Sequence, residues 1–545
     1  MSFVSTFFDH LKAHPSRPFV TEVHGERLER VYGGRLLELI AQARATLRAS
    51  GVSPKDRVAL LAPNSARWVA ADLAALAEGA IVVPLYARQA PSELVAIMKD
   101  AGVTLVMCAD DELAGAVCAL WDGAPVVTFD ALFGTAKVSE PPKPLADSDV
   151  VTIIYTSGTS GEPKGVMTTA GNVEYMLKVI DRKLTELMGR PGGRDRVFHY
   201  LPFCFAGSRF VLWSNLYRAN GVMCSMDLND LQRELKTAAP EWFLNVPALL
   251  ERVKTGVEGK LKKQSLPIRT LYDAAIEAWR ADRAGRATLP QRLLLATAKR
   301  VIFRRIREQI GSELQCLICG SAPLAEETQA WFELLDLPVY QVYGLTETTA
   351  IVTMDRPRAA RPGKVGFAID GCEIKLGDDD ELLVKGPNIF AGYWNKEQAT
   401  RDAFTADGWF RTGDQATIDA DGRLAIIGRV KNILVPESGH NVAPEPIEQR
   451  LMERIPGIAQ AVVIGHAKPY LTAIVTGEVE KDAVSQALEA INAELPHYRR
   501  IRSFHLSREV FTPENGLLTA NQKLRRKAIE THYADAIARL YAGGA

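Results

Sequence analysis

Neither sign of charge is in excess in this chain. Lys and Arg number 65 and so do Asp and Glu, a balance that excludes a nucleic-acid binder held by bulk charge. Long apolar runs are missing too: none approaches the roughly 18–20 residues needed to span a bilayer. No cationic stretch followed by an apolar segment opens the sequence. Phe3, Val4, Phe7 and Phe8 are broken up by Ser5, Asp9 and His10, which reads as an amphipathic start and not as a leader. The expectation is a soluble, cytoplasmic protein. Cysteine is scarce, with seven residues spread over 545, far from the density of a disulfide scaffold. Cys316 and Cys319 form a C-x-x-C, but inside a run from Leu314 that reads as a buried strand. Positions three apart in a strand face opposite ways, and no second Cys/His pair lies nearby, so the pair reads as structural. There is no low-complexity tract and no internal repeat. What remains is an ordinary globular composition in a chain too long for one compact core, and at least two domains follow.

Over the first 150 residues, short apolar runs alternate with helical patterns. Arg57–Ala62, Gly79–Pro84 and Thr104–Cys108 read as strands, with helices over Trp68–Glu78 and Ser92–Ala101 between them. Such alternation predicts sheets covered by helices, an α/β architecture. A Pro-rich, charged connector over Ser139–Asp149 precedes a further strand, Val150–Tyr155. From about Glu251 to Gln309 the pattern is almost wholly helical and strongly basic: from Arg252 to Gln309, fifteen Lys and Arg stand against five Asp and Glu. This reads as a solvated helical face, or more sharply as a contact for an anionic membrane surface or a CoA phosphate. After Asp370 come short β-like runs, then the charged segment Gly428–Asn432, then a compact α+β pattern of domain size. The expected boundaries are 1–428 and 433–545, with 429–432 between.

The chemistry concentrates in five places. Tyr155-Thr-Ser-Gly-Thr-Ser-Gly-Glu-Pro-Lys-Gly165 follows a predicted strand directly. Its glycines, Gly158 and Gly161 among them, allow N–H groups to converge on an anion. The hydroxyls of Thr156, Ser157, Thr159 and Ser160 and the Lys164 cation suit a polyphosphate. The spacing is not that of the P-loop NTPases. Gly320-Ser321-Ala322-Pro323 is a tight turn after the buried strand. Tyr343-Gly344-Leu-Thr346-Glu347 packs an aromatic ring, a hydroxyl and a carboxylate into five residues, and also reads as a helix N-terminus capped by Thr346. Asp414, after Gly413, reads as a turn residue. Lys523 reads as one solvated cation among Arg525, Arg526 and Lys527.

Together and in this order, these segments resemble the adenylate-forming superfamily of acyl-CoA synthetases, luciferases and peptide-synthetase adenylation domains. The resemblance runs over nearly the whole chain. It implies a large N-terminal domain of sheets covered by helices with a distorted β subdomain, and a small mobile α+β C-terminal domain. It implies ATP, Mg²⁺ and CoA as cofactors. The glycine-rich segment with Lys164 would bind phosphate, Gly320–Pro323 would lie on adenine, and Tyr343 would stack on that ring. Thr346 would contact phosphate, Glu347 would bind Mg²⁺, and Asp414 would accept the ribose hydroxyls. Arg429 would sit near ribose or phosphate, Lys431 at a hinge, Gly439 on a thiol channel, and Lys523 would be catalytic.

Departures bear on the substrate. Gln522 stands where most members have Gly before the lysine, as in the long-chain branch. In His199-Tyr-Leu-Pro-Phe-Cys-Phe-Ala-Gly-Ser-Arg209, Phe205 and Ser208 replace the His and Glu of long-chain members. No acidic residue lies between His199 and Val211 to hold an amino-acid ammonium, which favours an apolar acid. The expected partners are a small carboxylic acid, ATP and CoA, with no nucleic acid and a possible peripheral membrane contact. Two alternatives stay open: an acyl-AMP ligase serving a carrier protein, and a nucleotide-binding pseudoenzyme.

Overall fold

The computed structural model describes residues 2–157, 163–519 and 523–542. The backbone packs into two compact units, one of residues 1–87, 91–373 and 385–402, the other of residues 88–90, 374–384 and 403–545.

Two sheets organise the first unit. In a seven-stranded sheet, Ile81–Leu85 lies between Arg57–Leu61 and Val150–Ser157, and Leu105–Cys108 pairs on the far side of Arg57–Leu61, all parallel. The strands predicted from the first 155 residues are therefore present and adjacent. Pro163–Thr169 then returns antiparallel along Val150–Ser157, and the short strand Gly392–Tyr393 closes that edge. A nine-stranded sheet carries Val197–His199, Trp242–Asn245, Leu317–Cys319 and Val339–Tyr343 side by side. The helix Ala66–Ala77 packs on strands of both sheets, and all its residues except Arg67 are buried. A helix apolar on nearly every side, with its one buried charge, Asp72, paired, is what such a sandwiched position requires. Ser65 caps it, accepting from Trp68 N at 3.0 Å. The opening helix Phe3–Ala13 buries Phe3, Val4, Phe7 and Phe8, as its pattern predicts.

Cys316 and Cys319 are free and buried, and burial pushes the Cys316 thiol up to about 12. Neither belongs to a metal-ligand cluster among the described residues. None of the helices in the described residues is long and apolar enough to cross a membrane.

The second unit joins a four-stranded sheet, whose longest strands are Phe410–Ile418 and Leu424–Arg429, to a three-stranded sheet of Ile458–Ile464, Leu471–Gly477 and Ile501–Ser507. In the latter, alternate side chains enter two cores. Ala461, Val463, Ala473 and Val475 pack with the helices Glu445–Arg454 and Lys481–Glu494. Val462, Ile464 and Ile474 face the opposite way, onto Phe511, Leu517, Leu518 and Ile529. Period-two alternation in a doubly covered sheet explains both. It also seats the segment leading to Lys523 directly on the sheet.

Candidate active site

The antiparallel strands Val150–Ser157 and Pro163–Thr169 lead into and out of the glycine-rich segment. Thr156 pairs across the ladder with Lys164, and Ser157 with Pro163. Gly158, Thr159, Ser160 and Gly161 lie outside the described residues. Lys164 points its Nζ over the ring of Tyr393, 4.9 Å from the centroid, and the Tyr393 hydroxyl donates to Glu347 Oε1 at 2.9 Å. The phosphate-loop cation and the motif carboxylate are thus linked through one phenol.

The backbone fixes that link. Tyr393 pairs with Val166, Trp394 N donates to Gly165 O at 2.8 Å, and Phe390 N donates to Glu347 O at 2.9 Å. The segment Asn388–Trp394 therefore holds both partners of Tyr393. In the sequence it is one of the short β-like runs after Asp370. Its signal was present: two aromatics flank Gly392, whose φ of +129° only glycine adopts readily.

Tyr343 ends the strand Val339–Tyr343, and the chain then turns sharply. A Cβ on Gly344 would stand 2.2 Å from Ala350 O, so no other residue fits. Thr346–Thr348 forms a single 3₁₀ turn. The expected cap is corrected here: Thr348 supplies it, its Oγ1 accepting from Leu345 N at 2.9 Å. That leaves the Thr346 hydroxyl outside the cap. Thr349 and Ala350 follow with φ of +53° and +79°, a costly pair for residues bearing Cβ. Buried Asn388 steadies them, donating to Thr348 O and Ile351 O, while Thr349 Oγ1 donates to Asn388 O at 2.6 Å. Gly320 is buried against Val342, next to Tyr343 in sequence. Ser321, Ala322 and Pro323 are exposed beyond it, Ser321 with φ of +73°.

The divergent acyl segment is anchored by its one unchanged charge. Arg209 is fully buried and paired with Asp72 of the sandwiched helix. It also donates to Thr152 Oγ1 at 2.6 Å, on the strand that leads into the glycine-rich segment. Trp213 Nε1 completes the set by donating to Asp72 Oδ2 at 3.0 Å. Phe205 lies against Tyr86, and Ser208 is buried. His199 is stacked on Phe203, and burial lowers its pKa to about 3, so it is a neutral packing group.

In the second unit, Asp414 and Arg429 are cross-strand partners joined by an ion pair of 2.8 Å, with Asp414 only 4% exposed. Arg429 Nη1 also reaches Thr412 O at 3.2 Å. Asp414 is thus a strand residue with a buried, oriented carboxylate, and not the turn residue its sequence neighbours suggest. Lys431 lies exposed in the 3₁₀ turn Val430–Asn432. Gly439 has φ of +75°, and a Cβ there would meet nothing within 4 Å, so backbone conformation is what calls for glycine.

Lys523 is exposed and tied back to Thr519: Thr519 N donates to Lys523 O at 2.8 Å, and Lys523 N donates to Thr519 Oγ1 at 3.1 Å. Residues 520–522, Gln522 included, lie outside the described residues. Arg526, expected among solvated cations, is instead largely buried. Its guanidinium grips Glu448 with two bonds of 2.8 and 2.5 Å. Glu448 Oε1 also accepts from Val463 N at 2.7 Å. This two-point clasp fixes the chain three residues beyond Lys523.

The AMP-binding enzyme family matches residues 7–394, and the AMP-binding enzyme C-terminal domain matches residues 431–545. A protein named long-chain-fatty-acid–CoA ligase from Mycobacterium bovis is 30% identical, covering 92% of this chain and 90% of its own. ATP-bound MatB from Rhodopseudomonas palustris superposes with a TM-score of 0.75 at 22% identity, covering 98% of this chain and 100% of its own. A Mycobacterium tuberculosis fatty acyl CoA synthetase gives 0.66 at 23%, covering 98% and 99%. At those identities the superpositions speak for the fold alone. Two family models that together span nearly the whole sequence, with a relative 30% identical along it, make the affiliation plain: the chain belongs to the AMP-binding enzyme family.

Proposed function

We propose that the protein is an AMP-forming acid–thiol ligase that activates fatty acids. A carboxylic acid and ATP give acyl-AMP and pyrophosphate, and acyl-AMP and CoA then give acyl-CoA and AMP. The observation that carries this reading is the linked set Lys164–Tyr393–Glu347, found in a chain 30% identical along nearly its whole length to a long-chain-fatty-acid–CoA ligase. The mainly apolar stretch from Leu201 to Val211, without an acidic residue, suits an apolar acid.

In the first step the acid's carboxylate displaces pyrophosphate at the α-phosphorus. Negative charge spreads over the phosphoryl oxygens and the leaving group, so catalysis is mostly positioning and charge stabilisation. Lys164 leaves its aromatic ring for the phosphates, joined by the glycine-rich segment and by the Thr346 hydroxyl. Glu347 fits Mg²⁺: it offers hard carboxylate oxygen, only half-buried, and Tyr393 orients it by one oxygen. When bound, Mg²⁺ offsets triphosphate charge. Tyr343 and the Gly320–Pro323 turn hold adenine. Asp414 accepts the ribose hydroxyls, with Arg429 orienting its carboxylate. Lys523 supplies a further cation to the reacting phosphate.

For the second step the C-terminal domain turns about Lys431 within the hinge 429–432. This withdraws Lys523 and brings the Gly439 loop to the thiol's path. One pocket then serves both displacements because the domain presents a different face to it each time. A cytoplasmic location agrees with reliance on ATP and CoA. Measuring ATP–pyrophosphate exchange across straight-chain, aromatic and amino acids tests the substrate class. Exchange with straight-chain acids supports it, and exchange with amino acids alone would overturn it.

A further inference from the structure

The strands Pro18–His24 and Arg27–Tyr32 run antiparallel, and Arg27–Tyr32 forms one edge of the nine-stranded sheet. Glu22 stands directly opposite Glu29, and His24 opposite Arg27. Residues two apart on a strand share a face, so Glu22, His24 and Glu29 project to one side. One donor atom from each lies within 4.8 Å of the other two, and no other three His, Cys or acidic side chains meet so closely among the described residues. Like charges directly opposite on paired strands are destabilising. Arg27 answers only Glu29, at 3.5 Å and with its own side chain 71% exposed, so it offsets little of that repulsion.

Two details set this cluster apart from ordinary surface acid. His24 Nε2 is shut off from solvent and has no hydrogen-bond partner, with Glu22 Oε2 beyond bonding reach at 3.7 Å. Buried polar atoms are rarely left unmet, because the lost hydration is not replaced. Glu22, for its part, is already aimed. Its Oε1 accepts from Ala66 N at 2.8 Å, at the start of the helix Ala66–Ala77, while Oε2 is the oxygen near His24. A second hydrogen bond on a ligating carboxylate is what orients it toward a metal. Glu22 and His24 are partly buried and Glu29 is exposed, so the cluster has a fixed floor and an open side.

We propose that Glu22, His24 and Glu29 bind a divalent transition-metal cation of the zinc class, with water as the fourth ligand. An imidazole nitrogen beside two carboxylate oxygens suits Zn²⁺ and disfavours Mg²⁺ and Ca²⁺, which take oxygen ligands. Tetrahedral zinc sets such donors about 3.4 Å apart. The 3.7 Å between His24 Nε2 and Glu22 Oε2 is already close to that, and Glu29 on the edge strand closes the rest by side-chain rotation. The ion gives His24 Nε2 its partner and cancels the repulsion between the paired glutamates. It also fastens the sheet edge, through Glu22, to the helix that carries Asp72. None of the three residues takes part in the proposed reaction, and the site stands independently of it.

The test is equilibrium dialysis of the full chain, first stripped with EDTA, against Zn²⁺ in millimolar Mg²⁺, which occupies oxygen-only sites. Wild type is expected to retain an equivalent of Zn²⁺ at micromolar free metal that H24A and E29Q lose. Removing an outer partner of a metal ligand already costs about 10–100-fold in affinity, so losing a ligand should cost more than about tenfold. Location is read separately. Zn²⁺ should slow amide hydrogen exchange over residues 18–32 in wild type and not in H24A. Both variants should melt like wild type in EDTA, which controls for folding. No Zn²⁺ retained at micromolar free metal, or an equivalent that both variants keep, overturns the proposal. So does slowed exchange confined to other segments, which would place the ion at the exposed Cys118 or at other histidines.

Discussion

Replacing Tyr393 with Phe removes one hydroxyl and leaves the ring beneath Lys164. The lost contact is a 2.9 Å hydrogen bond to the Glu347 carboxylate. Hydrogen bonds to a charged group are worth about 1.5–3 kcal/mol, and the lower half of that range applies here because Glu347 is only partly buried. A change of about 1.4 kcal/mol is tenfold in an equilibrium or rate constant. Groups that orient a metal-binding carboxylate typically cost about 10–100-fold in metal affinity or activity when removed. Y393F should therefore weaken the apparent affinity for Mg²⁺ about tenfold in ATP–pyrophosphate exchange, with saturating Mg²⁺ restoring most of the rate. Y393L also removes the cation–π contact with Lys164, worth about 0.5–1 kcal/mol at an exposed site, and should in addition raise KM for ATP. The pair of variants separates the two contacts. An unchanged Mg²⁺ titration for Y393F, with thermal melting also unchanged, would refute the idea that Tyr393 orients Glu347.

Four further outcomes are expected. Lys523→Ala should abolish acyl-AMP formation yet still convert supplied acyl-AMP to thioester, and equal loss of both halves would contradict its assigned role. Lys431→Pro fixes φ at the pivot, and should spare adenylation while impairing thioester formation in single-turnover assays. Arg209→Met strands the buried Asp72 carboxylate. By urea unfolding it should cost about 3–5 kcal/mol, with much of that recovered in R209M/D72L. Glu78 is buried, which alone would raise its pKa. Hydrogen bonds from Arg48 and Arg44, with Lys143 nearby, win and hold it below the ordinary 4.5. Its stabilising contribution is thus complete above pH 4.5 and is lost as pH falls through the lower folded value. Thermal melting of E78Q should lag wild type by a constant margin near neutrality, and the gap should narrow below pH 4.5.

The sequence was most legible where local pattern and tertiary placement agree. Arg57–Ala62, Gly79–Pro84 and Thr104–Cys108 are short apolar runs between helical periods, and all three are neighbouring parallel strands. The positions of Lys164 and Glu347 were readable because each motif is local. Their connection was not, since Tyr393 lies more than 40 residues from one partner and more than 200 from the other, and only the sheet edge at Gly392–Tyr393 brings them together. Asp414 read as a turn residue because it follows Gly413. Its pairing with Arg429 needs the register of two antiparallel strands. Arg526 looked solvated for a similar reason: Glu448, which buries it, is on a helix 78 residues earlier. Cross-strand and helix–loop ion pairs of this kind leave no periodic trace in a sequence.

The central claim is acyl transfer from ATP-activated acid to a thiol. It is met most directly by incubating the purified protein with ATP, Mg²⁺ and a straight-chain fatty acid, with and without CoA, and identifying products by mass spectrometry. Acyl-CoA and AMP are expected when CoA is present, and only enzyme-held acyl-AMP when it is absent. Acyl-AMP accumulating equally in both would move the acceptor to a carrier protein or another nucleophile, and no acyl-AMP in either would contradict the account altogether.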